Sequence, residues 1–214
     1  FDSKGIETED LLKETMSYKV YKCKKIEPCL FLTLKYFKNP TIKDFTFQKA
    51  INFSRELNII LQLNHPSIIK CFGYNQFEII TYCNYPIIYL ENASNDNLDQ
   101  FIHSNKTQET KPKLNDTIKL IIIYGIAACM SYLHFHDIIH RDLKISNILL
   151  DDSLFPKLSG FDIAKELKGN SVSVSKHIKG TPAYLAPEVY LRKEYSKASD
   201  VYAFGYMIYE IMTN

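Results

Sequence analysis

The sequence lacks a cysteine pattern that would indicate a metal site or a disulfide framework. Its five cysteines are scattered, show no CxxC spacing and are odd in number, whereas disulfide-rich and zinc-binding domains use paired or closely spaced cysteines. We therefore expect buried thiols in a reducing compartment, and a cytoplasmic protein. The cysteines are Cys23, Cys29, Cys71, Cys83 and Cys129.

The chain also lacks an excess of one charge. It has 26 Lys and Arg residues against 24 Asp and Glu residues, mixed along its length, for a formal net charge of +2. Nucleic acids and anionic membrane surfaces attract proteins with concentrated positive charge. The composition therefore predicts neither of them as a partner.

A long hydrophobic run and a signal peptide are missing as well. The most apolar stretch, residues 120–130, is shorter than the roughly 20 residues that a membrane-spanning helix needs. The N-terminal residues are acidic rather than apolar, and the absence of an initiator Met suggests a fragment. We expect residues 120–130 to form a buried helix in a globular protein without a membrane span.

The first part of the chain, up to about residue 91, is rich in predicted strands and contains one predicted helix. Residues 20–24 and 30–37 are rich in β-branched, aromatic and aliphatic side chains and predict a hairpin. Residues 77–83 and 87–90 predict a second strand pair around a turn with Pro86. Between the pairs, apolar residues at helical spacing predict an amphipathic helix that carries Glu56 and ends before Pro66. Its predicted apolar face is Phe53, Leu57, Ile60 and Leu61.

The second part of the chain is mainly helical. A polar stretch after Leu90 is the candidate boundary, which gives domains 1–92 and 93–214. Asn115 or Asp116 is placed to cap a long helix that runs to about His136. A last helix is predicted from Ser199. The predicted apolar faces are Ile118, Ile122, Ile126, Met130 and Leu133 on the long helix, and Val201, Phe204, Ile208, Ile211 and Met212 on the last helix.

Between these helices, residues 140–147 read HRDLKISN and carry groups suited to phosphate transfer. This reaction requires a base for the acceptor, cations near the phosphates and metal ligands. The run resembles the catalytic loop of the protein kinase superfamily at every defining position, with Asp142, Lys144 and Asn147 in the matching places. An isolated aspartate is more often a turn residue, but the whole run makes that alternative minor.

Further segments carry the same resemblance. Lys144 and Thr181, the latter in GTPAYLAPE, are typical of serine/threonine kinases rather than tyrosine kinases. Among serine/threonine kinases, the sequence most resembles the tyrosine-kinase-like group. Glu188 closes that segment as in the family. Asp200 resembles the helix aspartate that braces the catalytic loop, although a first-turn carboxylate is also favoured by the helix dipole.

The resemblance implies an α+β fold, the bilobal protein kinase fold. A small β-rich N-lobe would span residues 1–92 and a helical C-lobe residues 93–214. The C-lobe would be truncated after the helix that starts near Ser199. ATP would bind between the lobes, with magnesium, and a protein would be the phosphate acceptor or the regulated partner. Asp142 would be the catalytic base, with Lys144 beside it, and Asn147 would be both catalytic and a magnesium ligand. The implied nucleotide contacts are Lys35, its partner Glu56, Val20, Leu90 as gatekeeper and Ala93 in the hinge.

The sequence departs from the family in two places. The three glycine positions of the phosphate-binding loop are Lys13, Thr15 and Tyr18, so close approach of backbone amides to phosphates is not supported. Gly160 stands where the family has its magnesium-binding Asp, with Asp162 two residues later. In an extended segment Asp162 would lie roughly 6 to 7 Å further along the chain, so it would serve as a metal ligand only after a shift of the loop.

Two functions therefore stay open from the sequence. One is a serine/threonine kinase domain, impaired by these departures. The other is a pseudokinase, which would act as a scaffold or regulatory binding module with little or no phosphate transfer. Regulation by phosphorylation is a further hypothesis, in which Arg141 would pair with a phosphate on Ser171, Ser173 or Ser175.

Overall fold

The computed structural model describes residues 6–14, 18–25, 30–37, 47–75, 87–95, 97–104, 114–168 and 171–214. The chain forms two compact units, Phe1–Leu63 with Ile69–Asn92 and Asn64–Ile68 with Ala93–Asn214. The sequence analysis placed Asn64–Ile68 in the first lobe. It belongs to the second unit because Ile68 forms a β-bridge with Leu158, and the Leu158 amide donates to the Ser67 carbonyl at 2.8 Å.

The first unit is a sheet with one helix. Its five strands are antiparallel in the order β1-β2-β3-β5-β4. The elements are β1 (Ile6–Glu14), β2 (Tyr18–Lys25), β3 (Leu30–Phe37), α1 (Phe47–Gln62), β4 (Cys71–Asn75) and β5 (Ile87–Glu91).

Alternation along the strands gives this sheet two different faces. Leu34 lies on one face, where it packs with Cys23, Ile87 and Tyr89. Lys35 points to the other face, where α1 packs. There Ile88 of β5 forms a buried cluster with two side chains of α1, Phe53 and Leu57.

The predicted hairpin is confirmed, since β2 and β3 pair in continuous register from Tyr18 opposite Phe37 to Lys25 opposite Leu30. β1 and β4 were not predicted. The pairing proposed for residues 77–83 lies outside the described residues, and β5 pairs with β3 and β4. On α1 the predicted face is wrong at one position. Leu61 is 45% exposed while Ile59 is buried, so the buried side of the helix includes Ile59 and Ile60 rather than Leu61.

The second unit is mainly helical with short strand pairs, and with the sheet of the first unit it confirms the predicted α+β class. Its helices are α2 (Leu98–Ser104), α3 (Asp116–Phe135), α4 (Pro187–Arg192) and α5 (Lys197–Thr213). Its strands are β6 (Ile138–Ile139), β7 (Ile148–Leu150), β8 (Pro156–Leu158), β9 (Lys165–Glu166), β10 (Ser173–Val174) and β11 (Glu194–Tyr195).

α3 is the central helix of this unit. Asn115 caps it, with its side chain accepting from the Ile118 amide at 2.9 Å. Gly125 lets the helix approach β8 closely, because a Cβ there would lie 2.5 Å from the ring of Pro156. The predicted face is confirmed, with Ile118 only partly covered. The buried positions are Ile122, Gly125, Ile126, Cys129, Met130 and Leu133.

α3 is long and apolar enough to cross a membrane, judged by length and composition alone. The apolar stretch at residues 120–130 was too short to indicate this from the sequence. Core helices of soluble proteins satisfy the same criteria, so one such helix is weak evidence. α3 buries a contiguous face within the second unit and packs against β8. We therefore describe it as a packed helix.

The predicted start and face of α5 need correction. The helix begins at Lys197, because Ser196 and Ser199 form a reciprocal capping box. Val201 and Met212 are about half exposed, at 54% and 48%, although they were predicted to face the core. The apolar pattern was misleading because the inward face begins with two polar side chains. The buried positions are Ser199, Asp200, Ala203, Met207 and Ile211.

Candidate active site

The backbone at the start of the catalytic loop (140–147) is held by Asp200 of α5. This carboxylate is 2% exposed and accepts from the amides of His140 at 2.8 Å and Arg141 at 2.9 Å. Its Oδ2 also lies 3.1 Å from Nε2 of His134. Arg141 has a φ of 67°, a conformation that costs energy for a side chain with a Cβ. The bracing role predicted for Asp200 is confirmed.

We expect Asp200→Ala to lower the free energy of unfolding by about 2–5 kcal/mol, because two buried amides lose their acceptor. Asp116→Ala is the matched control, since Asp116 is an exposed first-turn aspartate on α3. If only the helix dipole mattered, both variants would lose at most about 1 kcal/mol. Urea unfolding of both variants separates the two roles, and equal losses would contradict the bracing role.

His140 fixes the same loop from the inside. Its ring is buried, and this burial lowers the pKa of His140, so the ring is neutral near pH 7. Nε2 lies 3.0 Å from the Ser159 carbonyl and therefore donates to it, while Nδ1 accepts from the Asp142 amide at 3.3 Å. The ring also packs edge-on against Phe161 at 4.9 Å between centroids. Phe161, which follows Gly160, therefore packs against the inside of the loop.

Two side chains of this loop meet a third side chain from a later segment of the chain. Lys144 Nζ lies 2.9 Å from Asp142 Oδ2 and donates to Thr181 Oγ1 at 2.8 Å. Thr181 Oγ1 in turn donates to Asp142 Oδ1 at 2.7 Å. Asp142 and Lys144 keep 19% and 21% of their side chains exposed, so both are partly open to solvent. The structure therefore joins the two features that predicted a serine/threonine kinase.

Asn147 is directed at the same carboxylate. It ends a short 3-10 turn, and its Nδ2 donates to the Asp142 carbonyl at 2.7 Å and to Asp142 Oδ2 at 3.1 Å. Gly160 lies against its carboxamide: a Cβ on Gly160 would be 2.8 Å from Cγ of Asn147. Gly160 also has a φ of 83°, which favours glycine. The space that a side chain at position 160 would use is therefore taken by Asn147.

The extended geometry expected around Gly160 is wrong. Phe161–Ile163 is a 3-10 turn, and Gly160 precedes it in the left-handed region. The spacing of roughly 6 to 7 Å between Gly160 and Asp162, which assumed an extended segment, therefore does not apply, because a 3-10 turn has a shorter rise per residue. Asp162 is half-buried in this turn. The role of Asp162 as a metal ligand stays a prediction.

These residues do not fit a magnesium ion held in the manner of the family. The family uses a carboxylate where this chain has Gly160, and Asn147 offers one amide oxygen. In the part of the chain that the structure describes, no group of three or more His, Cys, Asp or Glu side chains is placed to hold a metal. Magnesium prefers several oxygen ligands, often with carboxylates. We therefore assign no catalytic step to a metal.

The predicted nucleotide-contacting residues of the first unit share one face of its sheet. Lys35 Nζ lies 2.5 Å from Glu56 Oε1, and the two side chains are 6% and 5% exposed. Val20 lies directly opposite Lys35 on β2, and Leu90 lies opposite Thr33 on β5. Residues opposite each other in a sheet point to the same side. The Lys35–Glu56 ion pair is confirmed, while the nucleotide contacts of Val20 and Leu90 stay predictions.

Ala93 follows the first unit in the chain and is half-buried. Its hinge role stays a prediction. The three described thiols, Cys23, Cys71 and Cys129, are free, and burial raises the pKa of each of them. Cys23 and Cys129 are buried as expected and Cys71 is partly buried, while Cys29 and Cys83 lie outside the described residues.

Of the candidate phosphorylation serines, Ser173 contacts a lysine, and the pairing of Arg141 with a phosphate stays a prediction. Arg141 is 7% exposed, donates from Nε to the Ile163 carbonyl and lies 5.2 Å from the centroid of the Tyr195 ring. Lys165 donates to Ser173 Oγ at 2.8 Å. Lys165 could not be predicted from the sequence, because the pairing of β6 with β9 that positions it carries no local motif.

Comparison with known proteins agrees with this geometry. The model of the protein kinase domain family matches residues 15–214. A probable serine/threonine-protein kinase of Dictyostelium discoideum is 34% identical over 162 residues, which is 75% of this chain and 11% of that protein. Cold-responsive protein kinase 1 of Arabidopsis thaliana is 32% identical over 169 residues, 78% of this chain and 42% of that protein.

Cysteine-rich receptor-like protein kinase 25 of Arabidopsis thaliana is 36% identical over 173 residues, which is 78% of this chain and 24% of that protein. The chain thus spans less than half the length of these three relatives. A family match over residues 15–214, together with the contacts around Asp142, shows that the chain belongs to the protein kinase family.

Proposed function

We propose that this chain is a protein serine/threonine kinase domain that transfers the γ-phosphate of ATP to Ser and Thr hydroxyls of proteins, at a reduced rate. The observation that carries this proposal is the contact triangle of Asp142, Lys144 and Thr181. It combines a carboxylate, a cation and a hydroxyl in one partly exposed place, as phosphate transfer requires.

Each member of the triangle has a separate task in this proposal. The acceptor hydroxyl donates to the Asp142 carboxylate, which orients its oxygen and takes its proton as the new bond to the γ-phosphorus forms and the bond to the ADP oxygen breaks. The Lys144 ammonium stabilises negative charge on the phosphoryl group in transfer. Thr181 and Asn147 donate to the two Asp142 oxygens and so hold the carboxylate in one orientation.

The Lys35–Glu56 pair supports a role in nucleotide binding. An ammonium that is almost fully buried is stable only with a partner, and Glu56 supplies that partner at 2.5 Å. Held in this way, Lys35 is a fixed cation of the first unit, with which phosphate oxygens of ATP would pair when they reach it. A protein substrate and ATP are what membership of the family implies.

The proposal is tested by incubating the protein with ATP, magnesium and a generic protein substrate, followed by analysis of the phosphorylated amino acids. We expect slow formation of phosphoserine and phosphothreonine without phosphotyrosine. No transfer above the background of the Asp142→Asn variant would overturn it. Phosphotyrosine as the main product would overturn the acceptor class.

Gly160 favours a second candidate function, a pseudokinase that regulates a partner protein without phosphate transfer. Its position offers magnesium no carboxylate, and Asn147 occupies the adjacent space. Loss of a few kcal/mol of transition-state stabilisation slows a reaction by about tenfold for each 1.4 kcal/mol. The pseudokinase predicts little change in melting temperature with ATP and magnesium, and a large magnesium-dependent rise would contradict it.

The double variant Gly160→Asp with Asp162→Gly tests whether the exchange limits phosphate transfer, because it restores the family order around Phe161. We expect turnover to rise at least about tenfold, which corresponds to about 1.4 kcal/mol of regained transition-state stabilisation. The measurement is the initial rate of labelled phosphate transfer.

The matched control is Gly160→Ala with Asp162→Gly, which adds the same Cβ beside Asn147 without a carboxylate. We expect no gain in rate, and a loss of about 1–2 kcal/mol in stability from the left-handed backbone. Equal turnover of the restored variant and the wild type would show that the exchange does not limit the rate.

A further inference from the structure

Tyr18 covers the buried cation of the first unit. The Lys35 ammonium lies 4.2 Å from the centroid of the Tyr18 ring, within the range of a cation–π contact. The same ammonium lies 2.5 Å from Glu56 Oε1. Lys13 lies 5.9 Å from the centroid of the same ring. Lys35 is therefore held between a carboxylate and an aromatic ring.

Strand register explains why this ring reaches Lys35. Val20 pairs with Lys35, and Tyr18 is two residues before Val20, so all three side chains point to the same face of the sheet. The diagonal distance between such positions is about 7–8 Å at the backbone, which aromatic and long side chains bridge. The Tyr18–Lys35 contact thus follows from the β2–β3 pairing.

The contact restricts access of a phosphate to Lys35. A phosphate oxygen needs to approach the ammonium to about 2.7–2.9 Å to form a charge-assisted hydrogen bond. A ring with its centroid at 4.2 Å occupies one side of the ammonium, and Glu56 occupies another. Lys35 is also only 5% exposed, so few directions of approach are left.

We propose that Tyr18 is a specificity-determining residue whose ring covers Lys35 and selects against the triphosphate of a nucleotide. A nucleoside binds without disturbing the ring, whereas a nucleoside triphosphate contacts Lys35 only after the ring has moved away. The triphosphate therefore adds little to affinity in this protein. This inference rests on the proposed function, because it concerns the same nucleotide.

The experiment compares adenosine with ATP plus magnesium, using calorimetry on the wild type and on Tyr18→Ala. In the wild type we expect the two dissociation constants to differ by less than about threefold. In Tyr18→Ala we expect ATP to bind about tenfold more tightly, within the range of a lost cation–π contact, and adenosine to bind as before. Adenosine serves as the internal control because it carries no phosphate.

Two variants control for other effects of the substitution. Tyr18→Phe keeps the ring and should keep the weak ATP binding of the wild type. Phe31→Leu removes a similar contact elsewhere on the sheet, where Lys22 lies 5.2 Å from the centroid of the Phe31 ring. It should change neither dissociation constant. Tyr18→Ser provides a second small side chain in case Tyr18→Ala does not fold.

ATP affinity that stays the same or falls in both Tyr18→Ala and Tyr18→Ser would overturn the role of Tyr18. Equal gains for adenosine and ATP would also overturn it, since they would indicate a general opening of the site. Tighter ATP binding without phosphate transfer would support the role of Tyr18 while the proposed activity fails. Absence of binding by both ligands to every variant would overturn both proposals.

Discussion

Asp142→Asn lowers the rate of phosphate transfer by about 10²–10⁴-fold, the usual contribution of a positioned general base. Asparagine has nearly the same shape but cannot take the proton of the acceptor hydroxyl. It also places an NH₂ group where Lys144 or Thr181 now meets a carboxylate oxygen. The measurement is the initial rate of labelled phosphate transfer at saturating ATP.

The matched control for this variant is Asp151→Asn. Asp151 is a turn aspartate, whose Oδ1 accepts from the amides of Ser153 and Phe155 at 2.9 Å between β7 and β8. It has the role that the sequence offered as the alternative for Asp142. We expect Asp151→Asn to lose stability without a change in rate. Wild-type transfer by Asp142→Asn would contradict the assignment of the base.

The site in the second unit was largely predictable, because its chemistry is encoded locally. Asp142, Lys144 and Asn147 stand within six residues, and the β7–β8 hairpin follows them directly in the chain. Thr181 joins them from 37 residues beyond Lys144. The sequence indicated that Thr181 shares the acceptor class of Lys144, but only the fold shows that the two side chains touch.

The errors have a common physical origin in tertiary packing. Leu61 and Val201 are apolar residues at helical spacing, but each lies just beyond the side that its unit covers. Hydrophobic periodicity predicts that a helix has a buried face, and it locates that face only to within about one position. On α5 the buried face begins with Ser199 and Asp200, whose burial depends on hydrogen bonds and was invisible to the apolar pattern.

The exchange of Gly160 and Asp162 was evident in the sequence, but its local geometry was not. A left-handed glycine followed by a 3-10 turn replaces the extended segment that was assumed. Asn147 lies directly against Gly160, so a carboxylate at position 160 needs the space that Asn147 now fills. The sequence likewise showed that Tyr18 replaces a glycine of the family. Its position over Lys35 depends on strand register, which only the structure shows.

Lys35→Met should be among the most destabilising substitutions in the first unit. It leaves the Glu56 carboxylate, 5% exposed, without its cation, and breaking a buried pair in this way costs about 3–5 kcal/mol. The double variant Lys35→Met with Glu56→Leu removes both charges and should recover most of that loss, because apolar side chains of similar size fill the same space. Urea unfolding of the wild type, both single variants and the double variant gives the coupling energy directly.

The Lys19–Glu14 pair on β2 and β1 is the matched control for this cycle. Its atoms lie 3.5 Å apart, with 38% and 45% of the side chains exposed. Exposed pairs contribute about 0–1 kcal/mol, so Lys19→Met should change stability little. Equal losses for Lys35→Met and Lys19→Met would contradict a buried ion pair. A double variant no more stable than Lys35→Met would show that Lys35 stabilises the unit through contacts other than Glu56. One such contact is the Tyr18 ring, whose centroid lies 4.2 Å from the Lys35 ammonium.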